Sequence, residues 1–248
     1  MDENNYNYNG NQFPQQYGFD SAYAPSPTLN RYIARTFGWM FLGLLLTFAV
    51  AVGMVLSGLV FSLLATPYVL IALTVAELIV VIAFSATLLK RSVGVTRGLF
   101  FLYSVLNGVV FSLYFLLFDV VNLMAVFLLT ALFFGAFALY GRFTRTDLSR
   151  LGPILVGGLI FLIIAGLLMA FIPGFSFMER IVCMIGIVIF LCFTAYDVQK
   201  IKANYAFFCN DSVMLQKASV YSALQLYLDF INLFLYLLRF FGNSRSSK

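Results

Sequence analysis

Residues 219–241 read SVYSALQLYLDFINLFLYLLRFF, and the fold follows from how this stretch is solvated. It is long enough to cross a bilayer, because about 20 apolar residues at about 1.5 Å each span a hydrocarbon core roughly 30 Å thick. Its polar residues are not scattered. Ser222, Gln225, Asp229, Asn232, Tyr236 and Arg239 follow one another at steps of three and four, which places all six on one stripe of one helix. Lipid cannot solvate a stripe that carries a carboxylate and two amides. The helix therefore belongs inside a bundle, with this face toward protein or a wet path, and Asp229 is the residue at its centre.

Composition extends the same frame to the whole chain. The 248 residues are 62% hydrophobic and 10% charged, with a mean hydropathy of +0.96, which is a polytopic membrane protein rather than a soluble domain. The apolar runs follow one another with short connections and form one membrane domain, residues 31–248. The net charge of +5 sits in loops beside the spans, where it sets orientation, so no nucleic-acid partner is implied. The partner is the lipid bilayer.

The metal inventory is thin. Cys183, Cys192 and Cys209 form no CxxC pair and the chain has no histidine, which argues against a zinc or haem site and implies no cofactor. Without histidine, any response to pH near neutrality must come from a carboxylate in a special environment. Residues 1–30, rich in Asn, Gln, Tyr, Gly and Pro, lack helical periodicity and are expected to be a disordered polar tail. They also lack the basic start and apolar core of a signal peptide.

Seven spans are predicted: Gly38 to Leu64, Tyr68 to Leu89, Gly98 to Phe118, Asn122 to Tyr140, Pro153 to Ile172, Arg180 to Asp197, and the final helix. Their connections alternate in charge. Lys90 to Arg97, Gly141 to Gly152 and Val198 to Lys217 each carry three basic residues, and the other three carry none. The positive-inside rule then puts the basic loops and the N-terminus in the cytoplasm and the C-terminus outside.

Within the spans, charge is a functional signal by default. Glu77 lies about ten residues into the second span, free to meet Asn107 on the third. Lys90 and Arg91 close the second span as interface anchors, or reach inward as counter-cations. Asp197, at the expected cytoplasmic end of the sixth span, has Lys200 three residues on and reads by itself as half of a surface ion pair. Set beside Asp229 on the next helix it takes on a second meaning. Two carboxylates brought together cannot both ionise cheaply, so they share a proton when closed and present anionic oxygens, suited to a hard cation such as Ca2+, when open. The depths disagree: Asp229 lies about 15 Å past the expected start of its helix, whereas Asp197 is placed near the headgroups. Contact requires tilt or a vestibule.

Two aspartates on adjacent spans also suggest an intramembrane aspartyl protease. Those enzymes carry Gly-x-Gly-Asp at the second aspartate, and here Leu226-Tyr227-Leu228 precedes Asp229, so no enzymatic activity is expected. A retinal pigment is unsupported because the last span has no lysine.

The segment LYLDFINLFLYLLRFFG, Leu226 to Gly242, resembles the C-terminal helix of the Bax inhibitor family, in particular its bacterial members. TAYDVQKI, Thr194 to Ile201, is similar to that family's sixth-helix motif. The resemblance covers the chain from about Arg31 onward. It implies an all-α membrane protein of seven transmembrane helices, the central C-terminal helix wrapped by six, in a bacterial cell membrane. It also implies a pH-sensitive Ca2+ leak in which Asp197 and Asp229 are sensor and gate and hold Ca2+ transiently. Gln225, Asn232, Glu77 and Asn107 would then line the path. Where related proteins can present an arginine near the end of the second span, this chain has Leu88, so Lys90 and Arg91 are the nearest candidates there. Two readings from other classes stand beside the leak: a non-conducting regulator of another membrane protein, such as a protease or an apoptotic factor, and a proton-coupled transporter.

Overall fold

In the computed structural model, residues 27–87, 92–171 and 176–242 are described, and the regular elements among them are helices. They are α1 (Pro27–Leu56), α2 (Leu59–Ala65), α3 (Pro67–Thr87), α4 (Val93–Phe111), α5 (Tyr114–Leu117), α6 (Val120–Phe143), α7 (Gly152–Phe171), α8 (Ser176–Phe208) and α9 (Ser212–Phe241), with a single 3-10 turn at Ser149–Leu151 before α7. Asp147 stabilises that turn by accepting the Ser149 N–H at 2.9 Å, a bond that holds its carboxyl below the usual carboxylate range.

Local chemistry sets the helix ends, and several differ from the hydropathy reading. The first predicted span is not continuous. Gly58, at φ +74°, breaks it between α1 and α2, a left-handed conformation that glycine adopts without a Cβ penalty. The predicted loop Val198 to Lys217 is mostly helix. Polar residues end an apolar window without ending a helix, so α8 runs on to Phe208, and α9 begins when Asp211 accepts the Val213 and Met214 N–H groups at 2.9 and 3.0 Å. Among the described residues, six helices are long and apolar enough to cross a membrane. The predicted second span corresponds to α3, whose qualifying apolar run is Val75–Phe84. The predicted polar tail, residues 1–30, ends sooner than expected, because residues 27–30 already belong to α1 and Leu29 is buried; the disordered-tail expectation for residues 1–26, and Leu88, Lys90 and Arg91, lie outside the described residues.

The helices form two three-helix groups around α9. In the first group α1 packs on α4, and α3 packs on α4 from outside; in the second α6 packs on α8, and α7 packs on α8 from outside. Four helices, α1, α4, α6 and α8, share the main contacts with α9. The expected sheath of six is thus four inner and two outer helices, with α3 reaching α9 through Phe84 stacked on Tyr221 at 6.0 Å. Leu226, Tyr227, Leu233, Leu237 and Leu238 of α9 are completely or almost completely buried. Each group closes at a glycine. A Cβ on Gly108 of α4 would meet the Thr47 carbonyl of α1 at 2.7 Å, and one on Gly141 of α6 would collide with the Ala195 backbone of α8. Without a side chain at these two points the helix backbones approach closely.

Candidate functional site: a carboxyl pair between the last two helices

Helices α8 and α9 are joined by a three-residue turn and run antiparallel with a fixed register. Asn204 donates to the Ser222 hydroxyl at 3.1 Å, Asp197 meets Asp229, and Phe190 stacks on Tyr236 at 5.8 Å. These three pairs are seven residues apart along each helix, two turns, so one face of α9 is matched rung by rung to one face of α8. The stripe read from the sequence therefore splits. Ser222, Asp229 and Tyr236 face α8. Gln225 and Asn232 are half-buried, the Asn232 amide returning to its own helix at the Leu228 carbonyl, 2.8 Å away, and Arg239 is exposed.

The extended helix ends resolve the mismatch in depth. Asp197 is not at a helix end. Eleven residues of α8 follow it, roughly 16 Å of helix, and its side chain is 5% exposed against 4% for Asp229. The two carboxyl groups are in hydrogen-bonding contact. Oδ1 of Asp197 and Oδ2 of Asp229 are buried without a donor from any other group among the described residues. Two carboxyls that face each other without an outside donor are satisfied when one proton lies between them.

Among the described residues, the cation acting on both carboxyls is Lys200. Its ammonium lies 5.8 Å from the ring of Tyr196 and 6.0 Å from the ring of Tyr221, between aromatic faces rather than between the carboxyls. Lys200 is legible as a neighbour of Asp197 one turn away. Its aromatic seat is not, since Tyr221 comes from the other helix.

A second polar centre lies on the opposite side of α9. The Thr47 hydroxyl is 2.7 Å from the Tyr227 hydroxyl, 2.9 Å from the Ser104 carbonyl and 3.0 Å from the Gly43 carbonyl. Glu77, on α3, acts electrostatically on Tyr103 and Tyr227, and its Oε1 is buried without a hydrogen-bond partner among the described residues. Asn107, its expected partner, donates instead to the Tyr103 carbonyl of its own helix at 3.3 Å. The structure thus brings Asp197 and Asp229 together and keeps Glu77 and Asn107 apart from them, on the α4 side. Among the described residues no cluster of three or more His, Cys, Asp or Glu forms a metal cage. Cys183 is buried, Cys192 half-buried and Cys209 exposed, all as free thiols.

A family model described as "Inhibitor of apoptosis-promoting Bax1" matches residues 29–246. The chain belongs to the Bax inhibitor family. Among relatives, the inner membrane protein YbhL of Escherichia coli is 43% identical over 236 residues, covering 94% of this chain and 99% of YbhL. An uncharacterized protein of Borreliella burgdorferi is 36% identical, covering 88% of this chain and 94% of its own. An uncharacterized membrane protein of Streptococcus pyogenes is 31% identical, with 87% and 94% covered. The match spans both halves of the bundle and the α8–α9 pair. With six membrane-length helices, this member of the Bax inhibitor family is an integral multi-pass protein of the bacterial inner-membrane kind.

Proposed function

We propose that the chain is a pH-sensitive Ca2+ leak across the membrane, with Asp197 and Asp229 as its gate. The observation that carries this reading is the buried contact between the two carboxyls, in register across α8 and α9, with no other donor to Oδ1 of Asp197 or Oδ2 of Asp229 among the described residues. In this closed form the pair holds a shared proton and draws α8 onto α9. Loss of the proton leaves two anions in contact in a medium that screens them poorly, and repulsion separates the helices. The separated carboxylates offer hard oxygen ligands for transient Ca2+, and Gln225 and Asn232 supply neutral lining on the same helix. Glu77 contributes a further polar point on the far side of α9. The basic loops and the N-terminus are assigned to the cytoplasm and the C-terminus to the outside by the positive-inside rule.

The sign of the pH dependence follows from the seat of Lys200. A cation bridging two ionised carboxylates would make the closed form the deprotonated one. Among the described residues the candidate is Lys200, which lies over two tyrosine rings instead; this supports a protonated closed form, so that acid closes and alkali opens, and the reverse sign would point to Lys90 or Arg91 as the bridging cation. The test is Ca2+ flux into dye-loaded liposomes containing the purified chain, over about pH 6 to 8. Flux that rises with pH, and a response flattened by Asp229→Asn or Asp197→Asn, is expected. Wild-type flux no greater than that of empty liposomes at every pH would overturn the leak and favour a regulator of another membrane protein. Proton-driven uptake of a small solute without Ca2+ would favour a transporter.

A further inference from the structure

A groove of about 540 Å³ runs between α1, α6 and α8, away from the carboxyl pair. Its two ends differ. At one end Arg142 donates to the Asn30 side-chain oxygen at 2.9 Å. One helix heptad deeper on each wall, roughly 10 Å further in, the lining is Phe37 and Gly135, with Leu139 between and Val198 on the floor. Leu139 is 57% exposed, so the groove opens on the outer face of the bundle, which in a membrane is lipid.

The polar end is cationic. Arg142 spends one N–H on Asn30, and among the described residues no carboxylate pairs with it, leaving further donors of the guanidinium fork. Lys202 donates to the Arg142 carbonyl at the same corner. Arg31, Arg35 and Arg145 are exposed nearby in the chain, and the one acid of that loop, Asp147, is engaged by Ser149. A cationic mouth over an apolar slot, oriented along the helix axes and open to lipid, has the form of an amphiphile with an acidic head.

We propose that this groove is a binding site for an anionic phospholipid, its phosphate on Arg142 and one acyl chain along Phe37, Leu139 and Gly135. Charge complementarity selects the headgroup, and the apolar depth selects a lipid over a free anion. The proposal does not depend on ion conduction.

Gly135 gives the test its steric arm, because a Cβ there meets nothing within 4 Å; Gly135→Leu adds bulk to the slot without altering charge. The experiment is native mass spectrometry of the purified full chain, released from detergent with graded phosphatidylglycerol or phosphatidylcholine of identical chains. The wild type is expected to retain phosphatidylglycerol about fivefold to tenfold better. Arg142→Gln is expected to abolish that preference while leaving the weaker phosphatidylcholine adducts, and Gly135→Leu to reduce retention of both. Equal retention of the two lipids by the wild type, or lipid retention unchanged in Gly135→Leu, would overturn the proposal. So would displacement of the lipid by millimolar inorganic phosphate, which would mark an anion site only, or a dimer mass in place of lipid adducts, which would mark a protein-filled groove.

Discussion

Asp197 and Asp229 differ in chain position but share one environment, and conservative substitutions separate their charge from their packing. An amide at either position can donate to the facing carboxyl, so Asp229→Asn should keep the closed contact. Its stability, read by thermal unfolding in detergent, is expected to stay within about 1 kcal/mol of the wild type, the scale of interhelical polar pairs in membranes. Its flux should no longer follow pH. Lys200 gives a complementary prediction. Its positive charge favours the ionised pair, so Lys200→Met should move the flux–pH curve to higher pH by about one unit, and an unmoved curve would remove Lys200 from the gate. At the second polar centre, Tyr227→Phe deletes the hydroxyl that meets Thr47 at 2.7 Å. It is expected to cost about 1 kcal/mol in unfolding stability while leaving the pH response in place, because the bond lies on the far side of α9 from the carboxyls.

Among the elements, α6 is held against α8 by the absence of a side chain at Gly141. Gly141→Val would push the two helices apart at Ala195, two residues from Asp197, with an expected loss of about 1–3 kcal/mol from overpacking, measured as a lower unfolding midpoint. Gly135→Leu, on the same helix but facing open space, should leave that midpoint unchanged, so the pair of variants distinguishes helix contact from helix surface. These elements also show what hydropathy can and cannot read. The α9 stripe was legible because a 3.6-residue period marks a face whatever surrounds it. The ends of α8 and α9 were not, because a helix continues past the membrane wherever its own hydrogen bonds and caps allow. Reading the last polar residue of an apolar run as a helix end put Asp197 at the headgroups, whereas Phe208 is where α8 stops. The break at Gly58 was lost inside a hydrophobic window for the converse reason: glycine adds little to hydropathy and much to backbone freedom. The carboxyl pair was readable as two candidate residues. Their contact depended on a register that only packing decides.

For the whole molecule, the two three-helix groups have the same internal order, the first and third helices inward and the second outward, and neither has a finished core without α9. A chain ending at Lys217 should therefore accumulate to a small fraction of the full-length level in the membrane fraction, measured by immunoblot, and equal accumulation would show that the six-helix sleeve supports itself. The central position of α9 also has a consequence in time. The centre of this bundle is the last part of it to be made. At about 5–20 residues per second, α1 leaves the ribosome roughly 10–40 s before α9; Glu77 waits in the bilayer for most of that interval without the helix that covers it, and Asp197 for only the last few seconds. Biosynthesis thus proceeds from the wall inward, and a nascent chain that stops short of α9 leaves the polar lining of its sleeve without the helix that buries it.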